Sequence, residues 1–288
     1  MNKFLTDHFR LNFLFILIFM IFPNQCLGEV TLNFGIYVAE KPTETVKQVR
    51  PLLNILQLKL SKILSVPVTI KINMAKDYKT GIENLVSGKV DFTRLGPASY
   101  VEAKRNNPNI SLLVMESKNG KSEFLGIICV AANSSIKNIK DLRGKTFAFG
   151  SQYSTIGRYL SQDLLWRNDI FVSDLASYEY LDRHDKVGAA VAIGNFDAGA
   201  LKEGTFNKLK VRGMPLRSIA SMPNVTHPWI ARSGLDEKIE SALRQSLLNT
   251  KDKNALKAIK RNGFLPVTDN DYDTIRLAIK NNDQFFSR

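Results

Sequence analysis

Residues Val30–Val38 read VTLNFGIYV, Val49–Leu64 read VRPLLNILQLKLSKIL, and Val66–Ile72 read VPVTIKI. In the first stretch Val30, Leu32, Phe34, Ile36 and Val38 fall on every second position, as the buried face of a strand requires. In the second, Val49, Leu52, Leu53, Leu56, Leu60, Ile63 and Leu64 recur three and four apart, on one helical face. Pro51 falls near the expected start of that helix, where a missing amide proton costs little. Alternation returns at Val66, Val68, Ile70 and Ile72. A strand, a helix and a strand joined by short links pair in parallel, so these residues predict an α/β fold.

The pattern extends in both directions. Tyr78–Ser87 reads as a helix closed by Gly88, Val90–Leu95 as a strand entering a Gly96-Pro97 turn, and Ala98–Arg105 as a helix. Beyond the apolar run Phe124–Val130 a second series begins. Strand Thr146–Phe149 feeds helix Thr155–Trp166, and a strand near Tyr178–Leu181 feeds helix Asp185–Ile193. Asp197–Leu201 follows, and the chain from about Gly234 reads as mainly helical. Two α/β series without a flexible linker predict two lobes joined by paired crossovers, with a cleft between them. The expected division is 29–127 with 221–288 for the first lobe and 128–220 for the second.

Residues 1–28 read as a secretory signal peptide. Lys3 and Arg10 precede the apolar run Leu11–Phe22, which is too short for a comfortable membrane span, and Cys26-Leu27-Gly28 supplies small residues for cleavage. A lipoprotein acylated at Cys26 is the weaker alternative, because Pro23-Asn24-Gln25 is a poor approach to a lipidated cysteine. Loss of Lys3, Asp7 and Arg10 takes the formal charge from +13 to +12 and leaves Cys129 as the one cysteine, so no intramolecular disulfide is expected. The excess charge suits an anionic partner. It is diffuse, with no Lys/Arg block interleaved with aromatics, which argues against nucleic acid.

The segment Phe149–Gly157 joins a predicted strand to a predicted helix. The first amides of a helix lack internal acceptors and carry partial positive charge, so an oxyanion is a natural ligand there. Ser154 and Thr155 offer hydroxyls, while Ile156 and Gly157 offer amides. The plain structural reading is that Ser154 or Thr155 caps the helix. No Gly-Lys-Ser/Thr triplet follows, so this is not a nucleotide-binding loop of that kind. Tyr37 ends the first strand, Tyr100 follows Leu95-Gly96-Pro97-Ala98-Ser99, and His184 stands in Arg183-His184-Asp185. Each of these three has a structural reading as an ordinary packing residue.

Taken in order, these segments resemble the periplasmic phosphate, phosphite and phosphonate-binding proteins of ABC transporters. The resemblance rests on Gly35-Ile36-Tyr37, Asp91–Tyr100, Asp141–Phe149, Ser154–Gly157, His184-Asp185 and Asp197–Gly199, and spans about Val30 to Leu235. It implies a type II periplasmic-binding-protein fold, two α/β lobes around a central ligand cleft that close on a ligand. It also implies a periplasmic monomer without cofactor or metal that hands its ligand to an ABC permease. Coupling to a membrane sensor kinase is the alternative partnership. The ligand-binding residues it implies are Tyr37, Tyr100, Ser154, Thr155, Ile156, Gly157 and His184. Asp197 either lines the cleft or ties the hinge.

Two departures bear on the ligand. Ile156 stands where the family has a serine, which removes one hydroxyl. No acidic residue occurs between Ala220 and Trp229, where aminophosphonate binders place one for the ligand's ammonium group. Arg94, before Leu95-Gly96-Pro97, is either a cleft cation or a solvated strand-end charge. A reading from another class makes Ser154 a hydrolase nucleophile with His184 as base and Asp185 or Asp197 behind it. The serine does not sit in a Gly-x-Ser-x-Gly elbow, which weighs against that reading.

Overall fold

The computed structural model describes residues 28–38 and 41–288. The signal peptide expected over residues 1–28 lies outside them apart from Gly28. In chain order the strands are β1 (Val30–Tyr37), β2 (Val68–Ala75), β3 (Phe92–Arg94), β4 (Ser111–Ser117), β5 (Glu123–Ala131), β6 (Thr146–Phe149), β7 (Ser177–Tyr180), β8 (Ala198–Lys202), β9 (Leu216–Val225), β10 (Pro228–Ala231) and β11 (Gly263–Leu265). They form two sheets, ordered β11-β4-β10-β3-β1-β2 and β7-β6-β8-β5-β9. In the first, β1 runs parallel to β2 and β3, whereas β10 enters antiparallel between β3 and β4. In the second, β6 runs parallel to β7 and β8, and β5 is antiparallel to β8 and β9. This is the expected two-lobed α/β architecture.

The sheets place all of β5 and β9 in the second lobe, so the chain crosses at residues 118–122 and at Thr226-His227. These points lie a few residues to either side of the expected boundaries at 127/128 and 220/221. The long helix also begins earlier than expected, running from Pro42 to Leu64. Pro42 therefore takes the early position assigned to Pro51, and Pro51 lies inside the helix, where its ring removes one backbone hydrogen bond. Among the described residues no helix is long and apolar enough to cross a membrane.

Each sheet is covered on both faces. Leu52, Leu53, Leu56 and Leu60 of the long helix pack with Phe34, Phe92 and Trp229 of the first sheet. Trp229 is fully buried and stacks on Phe34 at 5.2 Å between ring centroids. Phe147, Phe149 and Leu165 anchor one face of the second sheet, and Cys129, Val187 and Leu209 the other. Burial pushes the Cys129 thiol up to about 12, consistent with a small core residue rather than a reactive one.

Glu116 lies next to the end of β4, beside the crossovers, and is completely buried. Burial alone would raise its carboxyl, but Arg94 and Arg261 outweigh that and hold it below the usual range. Arg94 Nη2 reaches it at 3.0 Å, Arg261 Nε at 2.9 Å and Trp229 Nε1 at 3.3 Å. The Glu116 amide donates to the His227 carbonyl at 3.1 Å, so the ion cluster is fastened to the returning crossover.

The lobes are drawn together across the cleft. The Ala98 amide donates to Thr155 Oγ1 at 2.9 Å, Ser99 Oγ to the Tyr153 carbonyl at 3.3 Å, and Lys208 pairs with Glu44 at 2.8 Å. A third connection comes from the C-terminal segment. After the helix Asp273–Lys280 the short helix Asn282–Phe285 returns to the second lobe, where Phe285 is fully buried against Phe149. Arg158 Nη2 donates to Asn282 Oδ1 at 2.7 Å and reinforces that docking.

Candidate functional site

Parallel strands leave their carboxyl ends free to receive ligands, and here both sheets aim those ends at the same cleft. Ile36 and Tyr37 end β1, Arg94 ends β3, and Gly96 and Pro97 follow it. Across the cleft, Ser154–Ile156 follow β6, His184 follows β7, and Lys202 ends β8. All of them line one cavity of about 50 Å³, closed at the hinge by Phe124, Asn224 and His227. That space suits a few water molecules or one compact ion.

The turn after β6 is built from close backbone contact. A Cβ on Gly157 would lie 2.6 Å from the Gly150 Cα, and the Gly150 amide donates to the Gly157 carbonyl at 2.8 Å. Ser154 then caps the helix, its Oγ accepting from the Gly157 amide at 3.0 Å. The cap reading and the ligand reading of Ser154 are compatible, because accepting that bond leaves the hydroxyl proton available. The helix differs from expectation in its first stretch. Thr155–Leu160 is a widened π-helix, and regular α-helix runs only from Ser161 to Arg167. Such widenings recur at functional sites. Thr155 and Ile156 stand at its first positions, where amides have no acceptor inside the helix.

Tyr37 faces this turn from the first lobe. Its hydroxyl accepts from the Gly96 amide at 2.6 Å and lies 3.4 Å from Ser99 Oγ. Burial raises its ionisation above the ordinary value, so it remains a hydrogen-bond donor. A Cβ at position 96 would sit 2.9 Å from that hydroxyl, so only glycine admits this approach. His184 begins the helix His184–Ala192 and is buried.

Asn224 was not singled out in the sequence, although its segment was. It is 2% exposed, and both its amide nitrogen and its oxygen are buried without a hydrogen-bond partner. Unsatisfied buried amides are costly, and one facing a cavity points to a ligand. Burial, together with Arg94, Lys202, Arg261 and His184, holds His227 well below its ordinary value, so it is neutral near pH 7. Arg94 and Lys202 also stand in the cavity wall, Arg94 with its guanidinium on Glu116.

The structure thus brings together Tyr37, Ser154, Thr155, Ile156 and His184. It leaves out three residues expected with them. The Tyr100 hydroxyl turns away and donates to Asp269, and burial and that carboxylate raise its ionisation. Gly157 commits its amide to the Ser154 cap. Asp197 is exposed and ties the start of β8 to β6, its carboxylate accepting from the Thr146 amide at 2.9 Å. Asp185 is held by Arg183 at 2.6 Å. These bonds of the two aspartates thus run to Arg183 and to Thr146.

Comparison with known proteins bears on this geometry. The chain is 28% identical over 207 residues to the probable ABC transporter phosphite binding protein PhnD1 of Prochlorococcus marinus (strain MIT 9301), covering 67% of this chain and 68% of that one. It is 27% identical over 135 residues to the phosphate-import protein PhnD of Mycolicibacterium smegmatis, covering 43% and 42%. The solved structure of Prochlorococcus marinus PhnD1 with methylphosphonate matches at a TM-score of 0.76 and 23% identity, over 88% of this chain and 98% of that one. A binding protein component of an ABC phosphonate transporter from Pseudomonas aeruginosa matches at a TM-score of 0.79 and 19% identity, over 90% and 88%. These structures show the shared type II periplasmic-binding fold. The family described as the periplasmic substrate-binding protein of the phosphonate ABC transporter matches residues 34–272. The chain belongs to that family of periplasmic substrate-binding proteins.

Proposed function

We propose that this protein captures a phosphorus oxyanion, a phosphonate, phosphite or phosphate, in the cavity between its lobes and delivers it to an ABC permease. The observation that carries the reading is the convergence of donor-bearing residues from both lobes on one cavity. Ser154, Thr155 and Ile156, which carry hydroxyls and helix-start amides, line it together with Tyr37 and His184. Phosphoryl oxygens accept such bonds, and charge-assisted bonds strengthen where water is excluded. Asn224 gives its amide nitrogen to the ligand, which supplies the partner that the residue lacks. Because Thr155 Oγ1 also receives the Ala98 amide, the ligand-holding turn is itself part of the contact between the lobes. A bound anion therefore favours the closed arrangement, the form a permease would recognise.

Calorimetric titration of ligand-stripped protein with phosphate, phosphite, methylphosphonate, 2-aminoethylphosphonate and sulfate tests this. Saturable binding of at least one phosphorus compound, with 2-aminoethylphosphonate weaker than methylphosphonate, is the expected result. A folded protein that binds none of the panel overturns the reading. Asn224→Leu, of similar volume, is expected to leave thermal stability unchanged or higher while weakening the bound oxyanion by about tenfold or more. Unchanged affinity would remove Asn224 from the ligand set.

A further inference from the structure

Asn224 lies next to the end of β9, opposite Phe124 of β5, and shares a strand face with Met222 two residues earlier. Met222 belongs to the apolar cluster of the second lobe together with Ile156, and Phe124 packs against the same cluster. An apolar side chain at position 224 would extend that cluster at no polar cost. The chain instead places an amide there, 2% exposed and lining the oxyanion cavity, with neither its nitrogen nor its oxygen hydrogen-bonded. Each such group carries a desolvation cost that only a partner offsets.

The two atoms ask opposite things of a ligand. The nitrogen donates, and any phosphoryl oxygen meets it. The oxygen only accepts, so its partner must carry a hydrogen. Turning the amide over exchanges the two atoms and leaves the same requirement. Ser154 Oγ already accepts from the Gly157 amide and Thr155 Oγ1 from the Ala98 amide, which leaves their protons for a ligand. A fully ionised phosphonate or phosphite has acceptors only, and would set an oxygen against the Asn224 carbonyl. The monoanion keeps a P–OH proton and satisfies both atoms. We infer that Asn224 selects the charge state of the ligand: the cavity takes the phosphorus oxyanion as its monoanion. The P–OH donates to Asn224 Oδ1 while a neighbouring phosphoryl oxygen accepts from Nδ2. The inference rests on the oxyanion reading above and adds to it which protonation state is captured. Sulfate, which carries no proton near neutral pH, fails the same requirement.

Calorimetric titration with methylphosphonate and difluoromethylphosphonate over a series of pH values tests this. Fluorine makes the second ionisation easier, so difluoromethylphosphonate becomes a dianion at lower pH. When only the monoanion binds, apparent affinity scales with the monoanion fraction, a fall of about tenfold per pH unit above the ligand's second pKa. The fall is expected to begin at lower pH for the fluorinated compound, by the difference between the two second pKa values. Above that point binding should also take up a proton, read from the dependence of the heat on buffer ionisation. Tyr37, Tyr78, Arg94, His184, Lys202 and His227 are the titratable and charged groups lining this space, with Glu116 and Arg261 behind them. Titration of any of these moves both profiles at one pH, so a displacement between the profiles belongs to the ligand. A fall at the same pH for both compounds, or no fall, overturns the inference and leaves the oxyanion reading standing. Asn224→Leu should flatten the profile and abolish the proton uptake. A ligand-dependent fall that survives this substitution overturns the assignment to Asn224. Failure of both compounds to bind the folded parent protein at any pH overturns the oxyanion reading itself.

Discussion

Alanine at both Ser154 and Thr155 is expected to weaken phosphorus-oxyanion binding by about a hundredfold to ten-thousandfold. Each hydroxyl removed costs a hydrogen bond to a charged group, about 1.5–3 kcal/mol, and about 1.4 kcal/mol corresponds to tenfold in affinity. The loss has two further components. Ser154 caps the helix through the Gly157 amide, so its truncation loosens the turn that holds the amides of Thr155 and Ile156 in place. Thr155 receives the Ala98 amide from the other lobe, so its truncation weakens closure as well. Loss of the cap costs about 1 kcal/mol of stability, which the melting temperature will register and which a protein of this size tolerates. Thr155→Ser keeps the hydroxyl and should retain most of the affinity. Calorimetry on the folded double variant decides the matter. Binding within a few-fold of the parent protein would remove both residues from the site.

Glu116→Gln is expected to destabilise the protein by about 3–5 kcal/mol, the cost of breaking a buried ion pair from one side. Arg94 and Arg261 would then face a neutral amide in a site whose carboxylate is completely buried. For a chain of this length that corresponds to a fall in melting temperature of about 6–20 °C, readable by thermal unfolding at pH 7. The pH dependence follows from the same group. The folded carboxyl titrates below its ordinary value of 4.5, so the unfolded chain takes up its proton first. Its contribution is complete above pH 4.5 and is lost as pH falls through the folded value. His227 acts in the same direction from a higher starting point. Its folded value lies well below 6.5, so stability begins to fall below pH 6.5 as the unfolded histidine protonates. The glutamine variant should therefore lose less stability than the parent protein between pH 5 and pH 3. Equal melting temperatures at pH 7 would show that the arginines find other partners.

The residues that could be read from sequence were those whose role is set by their immediate neighbours. β1, the long helix and β2 follow from spacing alone, and the Ser154–Gly157 turn from its place between a strand and a helix. β9 carried no such signal. It is an edge strand with a mixed burial pattern, and Pro223 sits within it, which edge strands tolerate. β4 hides a charged residue, Glu116, in an otherwise buried run, and only the arrival of Arg94 and Arg261 makes that tenable. Tyr37 and Tyr100 show the same limit at the site. Both are tyrosines beside predicted turns, but Tyr100 lies on the helix face toward Asp269, and Ser99 is the residue that meets Tyr37. Which side of a short helix faces a cleft is decided by the layer packed behind it. Arg94 had two open readings, cleft cation or solvated charge, and it lines the cavity while bonded to a residue 22 positions away.

The return of the C-terminal segment to the second lobe has a practical consequence. Glu29 is held in the first lobe, where Thr69 Oγ1 donates to its carboxylate at 2.6 Å. Arg288 lies over the Phe171 ring at 4.2 Å, on the second lobe. A donor dye near the first position and an acceptor near the second would ride on opposite halves of the hinge. Energy transfer between them then becomes a spectroscopic ruler for ligand capture, with no label inside the cleft to disturb the anion.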